Sequence, residues 1–161
     1  MKTKLSLIAL FTCALIIFNG CKKDTPGPSL TSKTFTFSNW TWDGNTNYKY
    51  DYVDLTWDGL TSDIVDNGAV NMYLQTPSGW APLPRTIALS GTLYDYAQCQ
   101  RYTYDVGRFK IIVQDDDLAE PDPLGNWTIK IVAISNSQRK ANPDLDWNDY
   151  PAVKKRFNLA D

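Results

Sequence analysis

The segment "NWTIKIVAI" at residues 126–134 alternates by twos, with Trp127, Ile129, Ile131 and Ala133 on one side of an extended chain. That period belongs to a strand, not a helix. It recurs from residue 34 onward. "TFTFS" (34–38) aligns Phe35 with Phe37, "YKYDYVDL" (48–55) aligns Tyr48, Tyr50 and Tyr52, and "AVNMYLQ" (69–75) aligns Val70, Met72 and Leu74. "RYTYDV" (101–106) aligns Tyr102, Tyr104 and Val106, "RFKIIVQ" (108–114) aligns Phe109, Ile111 and Val113, and "TIALS" (86–90) is a shorter run. Val, Ile, Thr and aromatic residues dominate, as a pleated, half-buried surface prefers. Turn formers separate the runs, among them Asp43-Gly44-Asn45, Asp66-Asn67-Gly68 and Pro77-Ser78-Gly79. A parallel sheet needs crossover helices, and these spacers leave no room for them. The expected fold is all-β, an antiparallel sandwich or barrel.

Two short helices are also expected. "LTSDIVDNG" (60–68) has Thr61 or Ser62 to cap one turn and Gly68 to end it. "DWNDYPAVKKRFNL" (146–159) has Asn148 or Asp149 as an N-cap, Pro151 in the first turn, and Lys154, Lys155 and Arg156 toward its end. Val153 and Phe157 are four apart and share a face that could dock on the sheet. A helix this short forms only when docked.

The amino terminus obeys different rules. Lys2 and Lys4 precede Leu5 to Phe18, which carry no charge. That stretch is too short to span a hydrocarbon core, which needs about 20 residues as a helix. It fits the apolar region of a secretory signal. Gly20 then stands directly before Cys21. The arrangement resembles the lipobox of bacterial lipoproteins, in which the cysteine becomes the first mature residue and its thiol takes a diacylglycerol. Phe18 and Asn19 depart from the usual Leu and small residue at those places. The alternative is an ordinary secretory signal cleaved nearby, leaving a free thiol. We take residues 1–20 as the signal peptide and Cys21 as the lipidation site. Residues 21–33 then form a lipidated tether, rich in polar residues and proline. A β-sandwich domain is expected over 34–136 and a C-terminal extension with a short helix over 137–161.

Removing residues 1–20 takes the 16 basic residues to 14 against 18 acidic ones, and the net charge from −2 to −4. A mildly acidic chain makes no electrostatic case for nucleic acid. Of three cysteines, Cys13 lies in the signal and an acylated Cys21 cannot pair with Cys99. No disulfide framework follows, and Cys99 is expected to pack as a small hydrophobe. The chain has no histidine. Zinc sites built from Cys and His, and catalytic triads that need His, are therefore out of reach.

A wider resemblance rests on "SDIVDNGAVNMYL" (62–74), "WAPLP" (80–84), "GRFKIIV" (107–113) and "NWTIKIVAI". Together they resemble small Bacteroidota-type lipoproteins, some of which carry a collagen-like Gly-Pro stretch after the lipobox cysteine. This chain has only "PGP" (26–28) there. The resemblance implies an immunoglobulin-like β-sandwich and an envelope location, and it implies no catalytic residue.

Two constellations could carry function. Trp40, Trp42, Tyr48, Tyr50 and Tyr52 fall close together, interleaved with Asp43, Asn45 and Asn47. Sugars stack on exposed aromatic rings, but a sandwich core also needs large rings, and cross-strand aromatic pairs stabilise sheets. Asp115, Asp116, Asp117, Glu120 and Asp122 place five carboxylates within eight residues. Calcium takes six to eight oxygens, yet the spacing is not that of an EF-hand, and an acidic loop also discourages edge pairing. No carboxylate pair sits in a recognisable glycosidase motif. The expected protein is a non-enzymatic, lipid-anchored module of the cell envelope, in the outer membrane and either periplasmic or surface-exposed. It needs no cofactor and meets an envelope protein or a polysaccharide. The alternative is a glycan- or calcium-binding accessory domain, with an enzyme third.

Overall fold

The structure is a computed structural model that describes residues 30–44, 49–90, 95–121 and 124–160. Among these residues are nine strands in two sheets. The first sheet runs in the order β1 (Leu30–Phe37), β9 (Trp127–Ile134), β4 (Ala69–Thr76), β5 (Gly79–Leu83). The second runs β2 (Thr41–Asp43), β3 (Tyr50–Thr56), β8 (Arg108–Asp115), β7 (Asp95–Asp105), β6 (Arg85–Ser90). Every pairing is antiparallel. The chain is an all-β sandwich, as its alternation predicts.

The alternating residues meet between the sheets. Val70, Met72 and Leu74 of β4 and Ile129, Ile131 and Ala133 of β9 pack against Val53 of β3 and Phe109 and Ile111 of β8. Each large apolar side chain buried this way stabilises the fold by about 1.5–3 kcal/mol. Tyr102 crosses from the second sheet to the first, its hydroxyl donating to the Val70 carbonyl at 2.8 Å. α1 (Ser62–Asn67) closes the edge where Thr61 accepts from the Ile64 N–H at 3.4 Å, the expected cap.

The outer face of the first sheet is covered too where β9 and β4 run side by side. A two-layer sandwich leaves alternate residues to water, yet Lys130 is 2% exposed and Tyr73, Val132 and Ile134 are fully covered. The C-terminal extension covers them. It contains α2 (Asn136–Ala141) and α3 (Tyr150–Phe157), with Asp149 capping α3 and Pro151 in its first turn. Tyr150 packs on Tyr73 and Trp80, with ring centroids 4.9 and 5.3 Å away. The Trp147 carbonyl accepts from the Tyr73 hydroxyl and from Asn71 Nδ2. Arg156 Nε donates to Asn142 Oδ1 at 2.6 Å, and Lys130 donates to the Ala160 carbonyl. Val153 is buried as expected; Phe157 is half-buried and stacks on Trp147.

Three expectations shift. Residues 30–33, read as tether, form the first half of β1. Leu30 pairs with Ile134, and the length of β9 draws those residues into the ladder. β2 and β5 add to the strands that the alternation indicates; both are short edge strands whose pairing is imposed by a neighbour. Cys99 is half-buried on the outer face of the second sheet, between Thr86 and Gln114, and not in the core. The Cys21 assignment lies outside the described residues.

Burial pushes the Tyr73 and Tyr102 phenols up to about 12. An acid whose folded pKa is raised keeps its proton in the fold and loses it on unfolding. Stability therefore falls as pH rises from about 10 through 12, by up to about 1.4 kcal/mol per pH unit for each phenol. Denaturation midpoints measured across that range should show the slope, and Tyr102→Phe should flatten it. An equal slope in the variant would contradict the assignment.

Candidate functional site

Several strand ends converge at one end of the sandwich. β1 leaves its ladder at Phe37, β3 begins at Tyr50, β8 stops at Asp115, and β9 starts at Trp127. Between them lies an open concavity of about 640 Å³. Trp40 and Trp42 line one side, with Asp51 beside them. Glu120, Pro121 and Gly125 line the other.

The two indoles are held in place. Trp40 Nε1 donates to the Gly125 carbonyl at 3.1 Å, and its ring stands edge-on to Phe37 and Trp127 at 5.3 and 4.9 Å. Trp42 is half-buried and lies against Gly44. A Cβ at Gly44 would come within 2.6 Å of the Trp42 Nε1, so the ring's position depends on a glycine there. Trp42 and Asp51 are direct partners in the β2–β3 ladder and share a face.

Asp51 breaks the alternation of β3. It falls two residues before Val53, on the inward face, and is 6% exposed. Among the described residues no hydrogen-bond donor or cation reaches its carboxylate. Burial is the main cause that raises its pKa above the ordinary 3.8, followed by the carboxylates of Glu120 and Asp115. The same fault repeats across the sheet. Asp115, 3% exposed, continues the inward face of Phe109, Ile111 and Val113. Asp115 pairs with Gln98, and Gln100 follows Val113 in the row that starts at Trp42 and Asp51. Both glutamines are buried, and Gln100 Nε2 donates to Gln98 Oε1 at 2.8 Å. Three neighbouring strands thus turn polar on their inner face at the same end. Arg85 closes the row beyond Gln100, three strands from Asp51, or about 14 Å at the usual spacing.

The aromatic set read from the sequence is divided by this geometry. Trp40 and Trp42 face the concavity. Tyr50 and Tyr52 lie on the outer face of the second sheet, edge-on to each other at 5.8 Å, with the Lys110 ammonium 4.2 Å above the Tyr52 ring. Tyr48 lies outside the described residues. The acidic set is divided too. Asp115 and Glu120 face Asp51. Asp116 Oδ1 accepts from the Ala97 N–H at 3.1 Å, and Asp117 Oδ1 accepts from the Ala119 N–H at 2.9 Å, so both brace the loop. Asp122 lies outside the described residues. Among the described residues no group of three or more Asp, Glu or Cys is arranged to hold a metal ion. The sequence reading missed Asp51, Gln98 and Gln100. The signal was present for Asp51 as a charge on the Val53 face of an alternating run.

A second concavity, of about 450 Å³, opens at the opposite end beside the β7–β8 hairpin. Its charges are matched: Lys110 pairs with Asp54 at 3.5 Å and Arg108 with Asp105 at 3.3 Å. Nothing there lacks a counter-charge, so the Asp51 end is the better candidate. No protein-family model, curated protein or solved structure matches the chain.

Proposed function

We propose that the chain is a lipid-anchored protein of the cell envelope whose sandwich is a non-catalytic binding module. Its recognition surface is the end that carries Trp40, Trp42, Asp51 and Glu120. One observation carries this reading: Asp51, a residue nine-tenths buried and with no partner among the described residues, stands beside two fixed indoles and lines an open concavity. Burying a charge without compensation is costly. A fold that retains such a group gains most when a ligand supplies the missing partner. The anchor reading rests on Cys21 and the apolar run before it. The partner is another envelope component, a protein or a polysaccharide. A glycan is the second reading, favoured by the half-exposed Trp42 ring, on which a sugar face could stack.

The test offers solubilised envelope proteins and envelope polysaccharides to the purified full-length protein in detergent. Capture should be lost in Trp42→Ala and weakened in Gly44→Ala, which displaces the same ring. Tyr52→Ala, on the outer face of the sheet, should leave it intact. A partner held equally by wild type and Trp42→Ala would show that recognition lies elsewhere.

A further inference from the structure

We propose that the Asp51 concavity binds an organic cation that carries N–H donors, the guanidinium or ammonium head of an arginine-like or lysine-like group. This rests on the reading of that end as the recognition surface and names what it recognises. The Asp51 carboxylate accepts no hydrogen bond and faces no cation among the described residues. The charged groups that raise its pKa are Glu120 and Asp115, both acidic. Across the ladders it meets Trp42 on one side and Val113 on the other, neither of which offers a counter-charge. The concavity therefore has an excess of negative charge and two aromatic rings.

Each ligand class can be weighed against that arrangement. An anion is repelled by Asp51 and Glu120 together. A bare metal ion needs a convergent oxygen cage, and the described residues form none. A neutral sugar can stack on Trp42 and donate hydroxyl hydrogen bonds, but it leaves the charge uncompensated. A quaternary ammonium supplies charge and cation–π attraction but no donor for the carboxylate. A guanidinium or primary ammonium supplies all three: charge, N–H donors for the carboxylate and cation–π attraction to the indole. The source is either a basic side chain of a partner protein or a free amine, and the head group is the same.

The experiment titrates the full-length protein in detergent with agmatine, with choline, with a short acetylated Arg-Lys peptide and with a neutral gluco-oligosaccharide. Tryptophan emission is read for wild type, Asp51→Asn and Trp42→Ala. Agmatine should produce a saturable change at concentrations about tenfold lower than choline, and Asp51→Asn should weaken it by about tenfold or more. Added salt should weaken it further. A peptide that binds more tightly than agmatine supports a protein side chain as the source; equal binding supports a free amine. Agmatine no better than choline, or unaffected by Asp51→Asn, overturns the cation. If the oligosaccharide alone then shows Trp42-dependent binding, the surface stands and its ligand is a glycan. If no probe changes the emission, the surface reading falls with the cation.

Discussion

Replacing Tyr150 with alanine lowers the stability of the folded chain by about 3–5 kcal/mol, the cost of deleting a large buried aromatic side chain. Tyr150 is 1% exposed and links the extension to the first sheet. Its ring fills the space between Tyr73 and Trp80 and lies 5.6 Å from the Lys130 ammonium. Truncation leaves a hole there beside the buried Lys130 ammonium, at the first residue of the eight-residue α3. Domains are stable by only about 5–15 kcal/mol, so the loss is a large fraction of the total. Urea denaturation of the purified protein measures it. Tyr50→Ala, on the outer face of the second sheet, serves as the control and should cost far less. A loss under about 1 kcal/mol in Tyr150→Ala would mean that the C-terminal layer is an ornament on a two-layer fold.

On the proposed anchor, Cys21→Ser should move the protein out of the membrane fraction, because a serine hydroxyl cannot form the thioether that would hold a diacylglycerol. Each buried CH₂ contributes about 0.8 kcal/mol to anchoring, and stable attachment takes more than one acyl chain. Losing them all therefore removes the attachment almost completely. Fractionation should place the wild-type protein with membranes until detergent releases it, and the variant with soluble proteins or with unprocessed precursor. Intact-mass measurement of the wild type should show an acylated residue 21 as the first residue. An unmodified thiol in membrane-free protein would remove the anchor and the envelope location with it.

The interior of the fold was legible because its strands alternate cleanly. β4, β8 and β9 carry apolar residues at every second position, so their core faces follow from spacing alone. The helix ends were legible for a local reason: Thr61 and Asp149 each cap within three residues of themselves. The edges were not legible. β5, "GWAPL", contains Pro82 and Gly79, which a sheet accepts only at an edge or an end. β7 runs from Asp95, well before the run at 101–106, because Gln98 and Gln100 occupy inward positions and hide the period. The third layer left one trace. Val132 and Ile134 are apolar on the face of β9 that a two-layer sandwich would wet. The aromatic cluster misled by proximity in sequence, since β3 sends Tyr50 and Tyr52 to the face opposite Asp51 and Trp42. The acidic cluster misled the same way, because neighbouring carboxylates brace turns in different directions.

Asp51 lies almost wholly within the fold and meets no counter-charge among the described residues. Because its folded pKa is raised, its ionisation opposes folding. The carboxyl's favourable contribution is complete below pH 3.8 and is lost as pH rises through the raised value. The carboxyl carbon resonance of Asp51, followed by NMR against pH in the ligand-free protein, measures this directly. The expected midpoint lies above 3.8 and shifts downward when Glu120→Gln removes one neighbouring charge. A midpoint at or below 3.8 would mean that a donor or cation already satisfies Asp51, and that the concavity has no unmet charge to offer a ligand.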